Sequence, residues 1–191
     1  MPFFHCTSDP RFFLIDFINQ GPMSQGLALL PDRMDSINAR AQMLKTGLQE
    51  SRLEERRQLI NTKNGIKPLG PAAGLWQFER GGIQGVLTHV ATRDHIRVVC
   101  HARDVPANVE AIWEAIQSDD VLAAALARLN YWWSHKPMPD LHDLEGSWNE
   151  YLWCWRPGAY SNGSEAQKTE LFKKWSQHHN RIRDYFSLML K

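Results

Sequence analysis

Apolar residues recur at helical spacing along most of this chain. Ile37, Ala41 and Leu44 begin a series at intervals of four and three residues, and Leu48 continues it. This spacing places the four side chains on one face of an amphipathic helix. The pattern predicts a helix from residue 34 to about residue 58, with a charged last turn or loop at its end.

Similar patterns predict further helices, separated by turn-forming residues. Helical periodicity covers residues 83–90, 106–117, 121–133, 140–155 and 164–190. The β-branched middle of residues 94–103 leaves both helix and strand open for that segment. Asn64, Gly65 and Pro68 mark residues 61–73 as a loop or a small hairpin. The predicted fold class is therefore mainly α.

The composition fits a single domain and restricts its partners. With 191 residues and 43% hydrophobic content, the chain can bury a core. Its formal net charge of +1 provides no electrostatic argument for nucleic acid as the main partner. No segment approaches the ~20 consecutive apolar residues that span a bilayer, so we expect no membrane insertion.

The cysteines and histidines do not suggest a metal site. Cys6, Cys100 and Cys154 are odd in number and widely separated, so they predict neither a disulfide framework nor a metal knuckle. We interpret them as buried or free thiols of a protein made in a reducing cytoplasm. The spacing of the histidines, such as the six residues from His89 to His95, does not place them on one helical face. The sequence predicts no metal and no cofactor.

A glutamate at the end of the first long helical pattern is the main candidate for chemistry. Glu50 follows the apolar face of that helix, and a Gly-rich turn with aromatic residues follows at 70–79. Cleavage of a glycosidic bond uses a carboxylic acid that flanks the scissile bond, and aromatic rings line sugar grooves well. The acid must keep its proton near neutral pH, and a partly apolar pocket achieves this by raising its pKa.

Two short motifs in this order resemble the lysozyme-like superfamily, in particular lytic transglycosylases and virion-associated muramidases of bacteriophages. Those proteins carry a Glu-Ser pair at a helix end and, a segment later, a Gly-Leu-Met-Gln-type turn. Here Glu50-Ser51 corresponds to the first motif and Gly74-Leu75-Trp76-Gln77 to the second. The similarity covers about residues 34–90, less than half of the chain.

The resemblance implies a site and an arrangement of the chain. Glu50 would be the catalytic acid. The substrate-binding residues would be Ser51, Gly74, Trp76, Gln77 and Phe78, with Tyr131 and Trp132 as sugar-stacking rings on the opposite wall. Residues 34–135 would form a lysozyme-like helical domain, residues 1–33 a docking or covering segment, and residues 136–191 a C-terminal helical extension packed on the same domain.

A second carboxylate would decide the mechanism. A hydrolase needs one at a defined separation from the acid. A lytic transglycosylase does not, because a hydroxyl of the sugar itself attacks. Glu79, just past the glutamine of the turn, is the main candidate for a second acid, and Asp94 is the other. Both mechanisms stay open at this point.

Two alternative functions follow. The first is a phage glycosidase that cleaves peptidoglycan glycan strands and opens the cell wall during genome entry. The second is a phage tail structural or adaptor protein with the same fold and little or no activity, because no hydroxyl precedes Gly70 where the families carry a serine. The N-terminus lacks the basic start of a secretion signal. We therefore expect synthesis in the host cytoplasm, followed by carriage in the virion with other phage proteins or by release at lysis.

Overall fold

Helices make up most of the structure, a computed structural model that describes residues 9–134 and 136–190. In chain order the helices are α1 (Phe13–Ile18), α2 (Ser24–Ala28), α3 (Ile37–Ser51), α4 (Arg80–Thr88), α5 (Arg93–Ala102), α6 (Val109–Ala115), α7 (Asp120–Trp132), α8 (Leu144–Trp155), α9 (Gly158–Ser161) and α10 (Glu165–Met189). A π-helical segment (Asn19–Met23) joins α1 to α2, and 3-10 turns cover Pro10–Phe12 and Asp32–Met34. The predicted mainly α class is confirmed.

Helix α3 lies at the centre of the fold. It begins where the Ser36 hydroxyl oxygen accepts a hydrogen bond from the Ala39 amide at 3.2 Å, because such a side chain satisfies one of the free amides of the first turn. Residues 39–48 are buried without interruption. The sequence predicted one apolar face, but the other elements also cover the polar face. Lys45, for example, is 1% exposed.

Helices α5 and α7 pack beside each other in the core. The ambiguous segment 94–103 is helical, and its buried residues Ile96, Val99 and Cys100 follow the spacing of one helical face. The Asp119 side chain accepts hydrogen bonds from the first amides of α7. The residues of α7 from 122 to 131 are all buried, so this alanine-rich helix is enclosed like α3.

The C-terminal helices pack against α3. Helix α10 starts with a capping box formed by Ser164 and Gln167, and its inner face buries Trp175 completely. The Trp175 ring stacks on Tyr151 of α8, with centroids 4.6 Å apart and planes inclined by 23°. These contacts place α8 and α10 around the helix that carries Glu50.

The segment with turn signals contains the predicted small hairpin. Strands β1 (Ile60–Thr62) and β2 (Gly65–Lys67) pair antiparallel, with Ile60 opposite Lys67 and Thr62 opposite Gly65. The hairpin follows the end of α3 and precedes the Gly-rich turn. It is largely exposed.

Residues 9–33 contribute buried side chains to the core. Within residues 9–33, Ile15, Ile18 and Met23 are at most 1% exposed and belong to the main core cluster. Phe13 and Phe17 point to solvent, with 73% and 58% exposed. The earlier part of the predicted docking segment, residues 1–8, lies outside the described residues.

The predictions on membrane spans, metal sites and cysteines can be compared with the structure of residues 9–134 and 136–190. No helix there combines the length and apolar character needed to cross a bilayer. No group of three or more His, Cys, Asp or Glu side chains is arranged there to hold a metal ion. Cys100 and Cys154 are buried free thiols, and Cys6 lies outside the described residues.

Candidate active site

Glu50 lies at a sharply terminated end of α3. The next residues after the helix, Arg52 and Leu53, have left-handed backbones with φ of 60° and 61°, a conformation that non-glycine residues adopt rarely. The Leu53 amide donates to the Gly47 carbonyl at 3.2 Å. The Leu53 side chain packs directly over Gly47, where any Cβ would collide with it. The chain therefore folds back over the last turn of α3 and fixes the position of Glu50.

Glu50 lines two open clefts at the end of α3. The first cleft has a volume of about 490 Å³ and is lined by the Gly-rich turn, the start of α4 and the end of α8. The second has a volume of about 880 Å³ and lies between the end of α3, the N-terminal turn and α10. Glu50, Gln58 and Gln77 line both clefts. We call the two clefts together the groove, and its size suits a small-molecule or oligomeric ligand.

The pKa of Glu50 lies near neutrality. Burial of its carboxyl group raises the pKa from its ordinary value of 4.5 to about 7, and the negative charge of Glu79 acts in the same direction. The Tyr151 hydroxyl donates a hydrogen bond to Glu50 Oε1 at 2.6 Å, which opposes the rise because it favours the charged form. At neutral pH a large fraction of Glu50 therefore carries the proton that a general acid needs.

Tyr151 is held in place by the rings around it. Its ring stacks on Trp175 and lies 5.4 Å from the ring of Trp148. The residue is 2% exposed, so its hydroxyl has little freedom to leave Glu50. Tyr151 thus connects α8 to the end of α3 and orients the carboxyl group.

Glu79 is the second carboxylate of the first cleft. It is exposed at the start of α4 and lines this cleft together with Glu50. Among the described residues it has no ion-pair partner within 4.0 Å. Asp94, the other candidate for a second acid, lies on α5 and pairs with Arg97 at 3.2 Å. It lines neither cleft.

The Gly-rich turn is fastened directly to the end of α3. Gly74 and Gln77 have positive φ angles of 73° and 50°, and the backbones of Ala73 and Phe78 exchange two hydrogen bonds of 3.0 and 2.8 Å. The Ser51 hydroxyl donates to the Leu75 carbonyl at 2.5 Å. Ser51, which was predicted to bind substrate, lines the second cleft but is only 4% exposed, and its hydroxyl holds the turn through this bond. Gln77 does line the groove.

Trp76 lies in the core and not in the groove. It is 0% exposed, and its indole Nε1 donates to the Met43 carbonyl at 2.8 Å. A Cβ at Gly47 would lie 3.4 Å from this indole nitrogen, so the ring packs against the bare backbone of α3. The prediction that Trp76 stacks on a sugar is therefore corrected: a fully enclosed ring has no free face for a ligand.

The predicted opposite wall also lies elsewhere. Tyr131 is 1% exposed, and its hydroxyl is 2.6 Å from Thr46 Oγ1 inside the core. Trp132 lines a separate shallow pocket with Arg128 and Pro137, and neither ring reaches the clefts around Glu50. The aromatic side chains that do line the first cleft are Phe78 and Trp155.

Trp155 lines the first cleft but was not among the predicted substrate-binding residues. It is half-buried at the end of α8, its ring centroid lies 5.5 Å from that of Phe78, and its indole donates to the Trp76 carbonyl at 2.9 Å. No local pattern in the sequence singled out Trp155. Asn130 also lines the cleft, and its amide donates to the Cys154 carbonyl at 3.1 Å.

The function of this protein has to be inferred from the geometry of the site, because comparison with known proteins gave no match. The chain matches no protein-family model, no curated protein and no solved structure. The class of site that the structure defines is a half-buried glutamate with a pKa of about 7 in an open groove, with a tyrosine hydroxyl that donates to it and a second carboxylate in the same cleft.

Proposed function

We propose that this protein is a peptidoglycan-cleaving glycosidase of the lytic transglycosylase or muramidase type, with Glu50 as the catalytic acid. The observation that carries the proposal is the position of Glu50 in the lining of both clefts, together with a pKa of about 7. A polymer chain that crosses the groove would bring one linkage to the Glu50 carboxyl group. The groove alone is generic, whereas a raised pKa in a cleft is typical of acid catalysis.

In the proposed reaction Glu50 donates its proton to the glycosidic oxygen as the bond between that oxygen and the anomeric carbon breaks. In the transglycosylase version a hydroxyl of the same sugar forms the new bond to the anomeric carbon and returns its proton to the Glu50 carboxylate. In the hydrolase version water takes the place of that hydroxyl, and Glu79 would accept the proton of the water. Trp155, the half-buried aromatic residue of the first cleft, would pack against a sugar ring.

The proposal is tested by clearing of purified peptidoglycan. Glu50→Gln keeps the shape but removes the transferable proton, so activity should fall by roughly a hundred- to ten-thousand-fold. Glu170→Gln is the matched control, because Glu170 is an exposed carboxylate of α10 outside both clefts. Equal clearing by the Glu50→Gln variant would exclude Glu50 as the acid. A parent protein that clears no peptidoglycan would favour the structural or adaptor role in a phage tail.

The products separate the two mechanisms. Anhydro-sugar ends, together with most activity retained by Glu79→Gln, would support the transglycosylase. Reducing ends, together with a Glu79→Gln variant nearly as inactive as Glu50→Gln, would support the hydrolase. Mass spectrometry of the digested strands reads out both. Anhydro ends with an inactive Glu79→Gln variant would contradict both versions.

The resemblance to virion-associated muramidases extends the proposal to delivery. We propose that the protein is carried in a phage particle and opens the wall from outside. It should then co-purify with gradient-purified particles in fixed copy number. Its presence only in the soluble lysate would instead favour an enzyme released at lysis.

A further inference from the structure

The two clefts of the groove differ in charge. Lys174, His178 and Arg181 of α10 follow one another at intervals of four and three residues and all line the second cleft, so they lie on one face of that helix. In the first cleft Arg156 is the one cationic side chain among the lining residues, and it lies there with the acids Glu50 and Glu79. We call the face with Lys174, His178 and Arg181 the basic wall.

The charges of the basic wall are not neutralised by carboxylates. Among the described residues neither Lys174 nor Arg181 has an ion-pair partner, and the Arg181 guanidinium donates only to the Arg11 carbonyl, at 2.8 Å. Many other arginines do have such partners, for example Arg56 with Asp120 and Arg80 with Glu110. Unpaired cations that line a cleft concentrate positive potential there and attract anionic groups.

The pKa of His178 reflects the two cations beside it in the basic wall. Burial, together with the positive charges of Arg181 and Lys174, lowers the pKa of His178 to about 4. His178 is therefore neutral at pH 7, and the two flanking cations carry the charge of the wall. The second cleft is also lined by the cations Arg11, Arg52 and Arg57 and by the acids Glu50, Glu54 and Glu55. Lys174 and Arg181 are its cations on the α10 side.

We propose that the basic wall binds the carboxylates of the peptide that substitutes the glycan, and that Lys174 and Arg181 are specificity-determining residues for peptide-bearing strands. This inference rests on the proposed function. A glycan strand stripped by an amidase keeps one lactyl carboxylate on each muramoyl sugar, whereas an attached peptide carries several free carboxylates further from the sugar ring. A strand seated with one sugar beside Glu50 would direct such a peptide into the second cleft, where the cations could meet its carboxylates as charge-assisted hydrogen bonds.

The test compares peptide-bearing glycan strands with strands from which an amidase has removed the peptides. The parent should show a higher kcat/KM on the peptide-bearing strands. The double variant Lys174→Gln/Arg181→Gln should lose roughly five- to tenfold on those strands, since each partly exposed charge contact is worth a factor of a few, and little on the stripped ones. The preference should also shrink in high salt because screening weakens exposed charge contacts.

The matched control is Lys67→Gln/Lys173→Gln, which removes two exposed cations that line neither cleft. It should keep the preference of the parent. A parent that cleaves both substrates equally, or an Lys174→Gln/Arg181→Gln variant with an unchanged preference, would overturn the inference and leave the proposed function intact.

Binding measurements distinguish a failure of this inference from a failure of the proposed function. Calorimetry would compare a soluble disaccharide with its attached peptide and the same disaccharide without it. If no strand is cleaved but the peptide-bearing disaccharide binds more tightly and the Lys174→Gln/Arg181→Gln variant loses this difference, the inference stands and the glycosidase proposal fails. Equal binding of the two disaccharides, or no binding of either, overturns the inference.

Discussion

Lys45 and Glu50 lie five residues apart on α3, and burial moves both of their pKa values to about 7. The surroundings of the two groups differ. Lys45 Nζ donates to the Ser147 hydroxyl at 2.6 Å, and the residue is closed off from solvent. Glu50 is bound by Tyr151 on one side and faces the groove on the other. A perturbed pKa therefore does not mark a functional residue by itself, because chemistry also needs space for a substrate.

The largest stability effect should come from removing the buried charge of Lys45. Above pH 10.5 the amine is neutral in both the folded and the unfolded chain. As the pH falls from 10.5 to about 7, the unfolded chain takes up a proton that the fold resists, so the free energy of unfolding falls, and the loss is complete below pH 7. Lys45→Met should therefore raise the free energy of unfolding at pH 6 by a few kcal/mol, since one pKa unit corresponds to about 1.4 kcal/mol.

Denaturant unfolding at pH 6 measures this difference, and peptidoglycan clearing by the same variant sharpens the comparison with Glu50. We expect Lys45→Met to keep the activity of the parent. A variant that is as inactive as Glu50→Gln but still folded would show that the comparison is wrong and that Lys45 takes part in function.

A smaller stability effect of the same kind should follow from Glu50→Gln. Below pH 4.5 the carboxyl group is protonated in both states. As the pH rises from 4.5 to about 7, the unfolded chain releases its proton while the fold retains it, so the free energy of unfolding falls, and the loss is complete above pH 7. At pH 8 the variant should be more stable than the parent by about 1–3 kcal/mol. Thermal or denaturant unfolding at pH 4 and pH 8 checks this, and the gain should vanish at pH 4.

The smallest effects should be opposite shifts in the pH dependence of activity. Activity requires protonated Glu50, so it should decline as the pH rises through about 7. Tyr151→Phe removes the hydrogen bond that favours the carboxylate, and this decline should move to higher pH. Glu79→Gln removes a neighbouring negative charge, and the decline of its residual activity should move to lower pH.

Rates measured from pH 5 to pH 9 would show these shifts, each of which we expect to be below about one pH unit. The Glu170→Gln variant should follow the profile of the parent. Shifts of Tyr151→Phe and Glu79→Gln in the same direction would contradict the electrostatic account of Glu50.

Local patterns predicted many of the elements because their causes are local. The periodicity of residues 121–133 corresponds to α7, that of 140–155 contains α8, and that of 164–190 corresponds to α10. Lys63 and Asn64 form the turn of the hairpin, and Gly65 begins β2. Two longer disagreements remain. Residues 10–28, predicted only as part of a docking or covering segment, are helical, and the end of α3, predicted near residue 58, lies at Ser51. There the contact of Leu53 with Gly47 ends the helix, and helical periodicity does not register such a contact.

The sequence by itself determined the class of the fold, the hairpin and the choice of Glu50 as the residue to examine, because spacing and turn chemistry act over a few neighbours. Only the tertiary structure decided which aromatic side chains face the groove. By residue type alone, Trp76 and Tyr131 are as suited to contact a sugar as Trp155. Packing encloses Trp76 and Tyr131, whereas Trp155 lines the cleft. The contact of Tyr151 with Glu50 joins residues 101 positions apart. Such a pairing depends on how α8 packs on α3, and no local pattern in the chain encodes it.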